Sequence, residues 1–213
     1  MTLVVHGLGL TYRRAAAPVI DDLSATFEPG TLTSVTGPSG SGKSTLLYML
    51  GLLVRPTSGE IFWDGEPTRS MSDVGRSRVR AREIGFVFQD ALLDATRSIL
   101  DNVCDAGLFA GMDRSDQEAR AQELLEAFGV DHRSTHRPGE ISGGQAQRVA
   151  LCRALLTRPR VVLGDEPTGN LDAESARVVW AALRAHADSG ATVVVATHDE
   201  RLAATADVRL VLT

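Results

Sequence analysis

Between Gly37 and Thr45 the chain reads GPSGSGKST. Two fixed glycines followed by a lysine and a hydroxyl residue at this spacing form the pattern of a phosphate-binding loop. Gly37, Gly40 and Gly42, with Pro38, Ser39 and Ser41 between them, let the backbone turn tightly enough for successive N–H groups to point into one concavity. Lys43 then reaches the β- and γ-phosphates of a nucleoside triphosphate, and Ser44, followed by Thr45, supplies a hydroxyl ligand for Mg²⁺. The apolar run Leu46 to Leu50 predicts a helix whose positive N-terminal end faces the same anion.

A second anion site is legible downstream. Ser142-Gly143-Gly144-Gln145 precedes an apolar-faced helix carrying Val149, Cys152, Leu155 and Leu156 and ended by Pro159. A serine and two glycines at a helix entry leave N–H groups free for phosphate, although many helix entries look alike. Val161 to Gly164 is a continuous apolar run, as in a parallel strand buried on both faces, and Asp165-Glu166 stands at its C-terminal end. That end is the rim where open α/β sheets bind ligands. Asp165 suits a partner for Mg²⁺ and Glu166 a base for water. Another apolar run, Ala191 to Thr197, ends in His198-Asp199, which brings an imidazole to the same rim, where it can serve a γ-phosphate or an attacking water, or stand as a structural histidine. Tyr12 is an aromatic at a strand end, either a packing residue or a platform for an adenine ring, and the sequence leaves both open.

The elements that position these groups follow from the patterning. Leu32 to Thr36 reads as the strand feeding the glycine loop, and Ile84 to Phe88 as a strand ending in Gln89. Thr2 to Tyr12 and Ile20 to Phe27 read as strands joined by a turn around Arg13 to Pro18, and Glu60 to Gly65 as a strand with a glycine turn, so an antiparallel part surrounds the loop. Arg76, Arg78, Arg80 and Arg82 fall on a basic helix, read as a solvated face. From Leu92 to about Gly129 the spacing of Leu100, Val103, Leu108, Leu124, Leu125 and Phe128 is helical, and Ser115 with Glu118 resembles a capping box opening the second helix of that block. Asp207 to Thr213 reads as a last strand. The fold class is therefore α/β, a phosphate-loop core with a mainly parallel sheet, an antiparallel β subdomain and an inserted α-helical subdomain spanning about residues 90–160 of a single domain, 1–213.

Composition narrows the function classes. The 213 residues carry 22 basic and 27 acidic side chains, a net charge of −5, which gives nucleic acid no electrostatic footing as the main partner. Cys104 and Cys152 stand apart without metal-ligand spacing, as core residues in a reducing compartment do. No apolar stretch approaches the roughly 20 residues of a membrane span, and no signal-peptide pattern opens the chain. Neither direct membrane insertion nor export is expected.

GPSGSGKST, FVFQ, ISGGQ, VVLGDEPTGNLD and ATHD in this order resemble the ATP-binding subunit of an ABC transporter along essentially the whole chain, most closely the lipoprotein-releasing, macrolide-export and antimicrobial-peptide-export branch. The resemblance implies an ATPase that binds ATP and Mg²⁺, pairs head to tail with a second copy (or a pseudo-identical chain), and drives a separate transmembrane permease for export or release. It would lie in the cytoplasm against the inner face of the membrane, held by that permease. Tyr12 would stack on adenine, and Gly37 to Thr45 would hold the phosphates. Ser142, Gly143, Gly144 and Gln145 would meet the γ-phosphate held by the other copy. Gln89 would touch Mg²⁺ and the γ-phosphate, Glu166 would polarise water, His198 would hold the γ-phosphate, and Asp172 would lie at the dimer interface. Residues from Asp90 to Val103 would receive the permease. Among the departures, Ile141 replaces a leucine, Ala146 a glutamine, and Gly164 a larger apolar residue, which predicts looser packing there. The rival readings are a cell-division-type ATPase that signals without transport, a DNA-repair ATPase, and an unrelated phosphate-loop kinase. The repair families need long coiled coils between the two anion motifs, and no sustained heptads occur here; a kinase should lack ISGGQ and the second acid.

Overall fold

The computed structural model describes residues 1–12 and 17–213, so most of the turn expected around Arg13 to Pro18 lies outside the described residues. Two sheets share the chain. Strands β1 (Leu3–Leu10), β2 (Ile20–Phe27), β4 (Ser58–Trp63) and β5 (Glu66–Pro67) form an antiparallel sheet in the order β2-β1-β4-β5. Strands β3 (Leu32–Thr36), β6 (Ile84–Val87), β7 (Val161–Asp165), β8 (Thr192–Ala196) and β9 (Val208–Val211) form a parallel sheet in the order β6-β7-β8-β3-β9. The last two strands in the chain, β8 and β9, are shorter than the stretches read from sequence, since Ala191, Thr197, Asp207, Leu212 and Thr213 fall outside the ladder. Every residue of β3, β7 and β8 is buried, which is why these strands read as unbroken apolar runs rather than alternating ones.

Side chains of the central strands alternate between two cores. Val161, Leu163 and Val194 pack with α1 (Lys43–Leu50) and the antiparallel sheet, while Val162, Val193 and Val195 pack with the helices of the other face. Those helices are α3 (Ile99–Ala110), α4 (Arg114–Ala127), α5 (Gly143–Leu155) and α6 (Ala173–Asp188). α2 (Asp73–Glu83) and the single turn α7 (Glu200–Ala203) complete the set. Cys104 and Cys152 are buried free thiols, and burial pushes Cys152 up to about 12, which leaves it inert.

Four local expectations are corrected. The helical block begins at Ile99, not Leu92, because Ser98 is the cap and accepts from the N–H of Asp101 at 3.1 Å. The second helix starts after Asp113, with Ser115 already inside it, and Glu118 pairs with Arg114 at 2.6 Å instead of closing a capping box. The basic helix α2 is not wholly a solvated face. Arg76 is only 4% exposed and donates to the carbonyl oxygens of Leu52 (2.8 Å) and Val54 (3.4 Å), where the chain leaves α1. Gly164 does not loosen the sheet either, since a Cβ there would lie 3.1 Å from Pro167 Cγ and 3.4 Å from both methyls of Val195.

Candidate active site

Four adjacent parallel strands end on one edge, and each delivers a different group. β3 leads into the glycine loop, β6 into Gln89, β7 ends in Asp165 with Glu166 next, and β8 leads into His198. The loop requires glycine at two positions. At Gly42 (φ 90°) a Cβ would sit 2.9 Å from the Val19 carbonyl oxygen, and at Gly37 (φ 150°) it would sit 2.3 Å from that of Leu212. Gly42 is the N-cap of α1, and as glycine it supplies no side-chain acceptor, so among the described residues the first N–H groups of the helix open into the cleft unpaired, with no acidic side chain in the first turn. That is an anion site by construction. The ammonium of Lys43 bridges the loop, donating to the carbonyl oxygens of Gly37 (2.8 Å) and Pro38 (2.9 Å).

The cleft has a volume of about 450 Å³ and is lined by Ser39, Gly40, Gly42, Lys43, Ser44, Thr45, Gln89, Glu166 and His198, with Val19 added from the antiparallel side. Ser44 Oγ donates to Asp165 Oδ1 at 2.8 Å, so hydroxyl and carboxylate converge although they lie far apart in sequence. Asp165 is 8% exposed. Glu166 adopts φ 50°, a left-handed conformation that costs a non-glycine residue on the order of 1 kcal/mol. The turn sends the two acids to different partners. Glu166 Oε2 accepts from the N–H of His198 (3.2 Å) and from its Nδ1 (2.8 Å), while the rest of the imidazole stands in solvent, 68% exposed. Oxygen donors from Ser44 and Asp165 beside a phosphate cradle suit a hard divalent cation such as Mg²⁺. A carboxylate poised at an exposed imidazole can hold a water and move its proton.

Other expected residues lie elsewhere. Tyr12 stays outside the cleft lining, 46% exposed, with its hydroxyl 3.2 Å from Thr45 Oγ1. Ser41 Oγ is buried beneath the loop without a partner among the described residues. Ser142, Gly143, Gly144 and Gln145 open α5 outside the cleft. Ser142 Oγ accepts from the N–H of Gln145 (3.2 Å), and Gln145 Oε1 accepts from the N–H of Ser142 (2.9 Å), a reciprocal cap that leaves the helix mouth exposed. Asp172 caps the neighbouring α6, accepting from Glu174 N, Ser175 N and Ser175 Oγ, and these hydrogen bonds, those of Ser175 foremost, hold its carboxyl below the usual range.

The structure also adds residues that sequence reasoning missed. Tyr48, one turn beyond Ser44 on α1, donates to Asp165 Oδ2 at 3.1 Å; burial, then the Asp165 charge, push its phenol up. Asn170 reaches Gln89 (3.5 Å) and Asp90 (3.3 Å). Gln147 donates to the Phe88 carbonyl at 2.7 Å, and Arg153 to those of Ala91 and Leu92 at 2.8 Å each, so α5 grips the backbone on both sides of Gln89. The i, i+4 spacing of Ser44 and Tyr48 was a usable signal for the first; the others depend on long-range placement.

A helix mouth bridged by a lysine and met by two carboxylates from a neighbouring parallel strand marks a nucleotide hydrolase of the phosphate-loop class. Within that class, the chain belongs to the ABC transporter family, whose model matches residues 20–169, and it is an ATPase. Among relatives, the lipoprotein-releasing system ATP-binding protein LolD of Bordetella avium is 47% identical over 197 residues, covering 92% of this chain and 86% of that one. LolD 2 of Caulobacter vibrioides is 42% identical over 204 residues, covering 94% and 90%. Among solved structures, the ATP-binding cassette MJ0796, described as dimeric, in a post-hydrolysis state and bound to ADP and Pi, superposes with a TM-score of 0.91 at 32% identity over 99% of this chain and 94% of that one.

Proposed function

We propose that two copies of this chain close head to tail around two ATP molecules and drive a separate membrane permease that exports or releases a substrate. The observation that carries this is the division of anion sites. The cleft holds the loop, Glu166 and His198, with Asp165 behind Ser44, while the exposed mouth of α5 at Ser142 to Gln145 lies outside it and has no phosphate of its own chain to meet. A second copy supplies one, and the related cassette described as dimeric agrees with the pairing. Asp172, beside that mouth, then faces the partner as well.

In this reading the backbone N–H groups from Gly40 to Thr45 and Lys43 hold the β- and γ-phosphates, and Tyr12 receives the adenine. Ser44 and Asp165, with Gln89, would hold Mg²⁺, which when bound neutralises charge on the β- and γ-phosphate oxygens. Glu166 takes a proton from water aimed at the γ-phosphate, and His198, fixed by Glu166, donates to that phosphate. ATP joins the copies because each γ-phosphate is held by both; its loss removes the bridge.

Among the described residues no helix is long and apolar enough to cross a membrane, so coupling needs a partner that does. A groove of about 650 Å³ between α2, α3 and the end of α5 supports the permease contact, with Val74, Phe86 and Phe109 as its apolar face, Phe109 76% exposed, and Arg78 and Arg153 at its sides. Arg153 links it to the stretch from Asp90 to Val103 by donating to the carbonyl oxygens of Ala91 and Leu92. Held there, the ATPase would sit on the inner face of the membrane. Export or release, not uptake, is the direction favoured by LolD relatives named as parts of lipoprotein-releasing systems.

Glu166→Gln tests the reading. Sedimentation with Mg-ATP should show a stable dimer, with turnover lowered by about 10² or more. A variant that stays monomeric with its permease present, or turns over at the wild-type rate, refutes it.

A further inference from the structure

We propose that Tyr48 is a positioning residue for the divalent-cation site, fixing the Asp165 carboxylate from the side opposite Ser44. The inference rests on the proposed placement of Mg²⁺ at Ser44 and Asp165. Ser44 and Tyr48 lie one turn apart on α1 and share a face of the helix. Each takes a different oxygen of the same carboxylate, Ser44 Oγ donating to Oδ1 at 2.8 Å and Tyr48 Oη donating to Oδ2 at 3.1 Å.

The torsion that turns a carboxylate about its last bond is broad and roughly two-fold, so one hydrogen bond leaves it loosely set. Two donors on opposite oxygens pin it. With Oδ2 held by the phenol, Oδ1 stays turned toward the Ser44 hydroxyl. When that hydroxyl gives its lone pair to a cation, its hydrogen still finds Oδ1 in place. Pre-set ligands of this kind reduce the ordering that binding must otherwise impose.

The phenol is itself held. Its ring lies against Phe86, with centroids 5.9 Å apart and planes at 41°, and Phe86 stacks on Phe88 at 4.3 Å. Phe88 directly precedes Gln89, so one aromatic row runs from the Asp165 carboxylate to the loop that carries Gln89. Among the described residues the Tyr48 hydroxyl hydrogen-bonds to Asp165 and to no group of the phosphate cradle or of the Glu166–His198 pair, so it acts on the nucleotide through Asp165.

Tyr48→Phe removes one oxygen atom and leaves the aromatic row. Equilibrium binding of a fluorescent ATP analogue, titrated with Mg²⁺, and Mn²⁺ binding by electron paramagnetic resonance give readouts that need no turnover. Affinity for the analogue in EDTA should match wild type, while the Mg²⁺ concentration at half-saturation rises about 3- to 10-fold, the loss of one hydrogen bond to a held carboxylate. Tyr48→Leu, which also lacks the donor, must shift it in the same direction. Two results overturn the inference: an unchanged Mg²⁺ midpoint in Tyr48→Phe with only a lower melting temperature, which is the mark of a purely structural role, or a shift in Tyr48→Leu alone. Asp165→Asn separates the two levels. If it too leaves the Mg²⁺ midpoint unmoved, the cation placement itself fails.

Discussion

Gly143→Ala separates folding from partner contact because the two effects have opposite signs. Gly143 is the first residue of α5, and a Cβ built on it meets nothing within 4 Å. Its φ is not among the positive ones, so no backbone reason favours glycine either. Within one chain, alanine should therefore stabilise, by a few tenths to about 1 kcal/mol, the helix-propensity difference between the two residues. For a domain of this size that is a rise of roughly 1–4 °C in melting temperature without nucleotide. Its neighbour Gly144 behaves differently, since a Cβ there would lie 2.7 Å from Ser175 Oγ and collide within the chain. If the open space over Gly143 is where the partner's γ-phosphate arrives, a methyl group there holds the phosphate off the helix N–H groups. The variant should then melt higher, bind ATP as a monomer like wild type, and, in the Glu166→Gln background, dimerise with Mg-ATP at least tenfold more weakly by sedimentation equilibrium. A higher melting temperature with undiminished dimerisation would refute the partner-phosphate assignment. A lower one would refute the reading of the cavity.

Two further predictions follow from neighbouring observations. Ser142→Ala removes the hydroxyl that accepts from Gln145 N, so calorimetry should show a loss of about 1 kcal/mol, together with monomer ATP affinity unchanged and dimerisation weakened. His186 is held neutral, its ring pKa lowered chiefly by burial, with Nε2 donating to the Pro159 carbonyl at 2.8 Å. Because the folded ring resists a proton that the unfolded one takes up near pH 6.5, the stability it contributes is present above that pH and is lost as pH falls toward the lowered folded value. His186→Gln should flatten this acid limb in denaturant midpoints measured from pH 7.5 to 5, and an unchanged limb would assign it to other groups.

Chemistry was most legible where it is local in sequence. The glycine loop, the acids closing the Val161 to Gly164 run, and the Ser-Gly-Gly helix entry are contiguous, and each sits at a strand end or helix start that hydrophobic patterning marks. What the pattern hid was long-range. Arg76 is buried because the carbonyl oxygens of Leu52 and Val54 need a donor, a need that arises only once α1 and α2 pack together. Ser115 with Glu118 matched a cap in spelling, yet the chain turns two residues earlier, and the side chain of Glu118 goes to Arg114. Gly164 looked like missing volume, but Pro167 and Val195 occupy the space, a compensation no single-strand pattern can reveal. Tyr48 was hidden among apolar neighbours because its ring does pack like theirs, against Phe86, while its hydroxyl reaches Asp165.

The grip of α5 on the Gln89 loop gives the proposed cycle its mechanical link. Gln147 and Arg153 sit on the helix whose mouth is Ser142 to Gly144, and they hold the carbonyl oxygens of Phe88, Ala91 and Leu92 on either side of Gln89. Gln147 is 2% exposed, so its hydrogen bond cannot be exchanged for water without opening the core. In the proposed cycle a shift of Gln89 toward or away from a phosphate would therefore pull on α5 through these hydrogen bonds, and a shift of the α5 mouth would pull on Gln89. The same Arg153 lines the groove beside α2 and α3. A permease seated there would thus feel the state of its own chain's cleft through Gln89 and that of the partner's phosphate through the helix mouth, two signals arriving at one rigid element. Helices transmit displacement better than loops because their hydrogen-bonded turns have few intermediate arrangements, so the link calls for α5 to move as a body and not to bend.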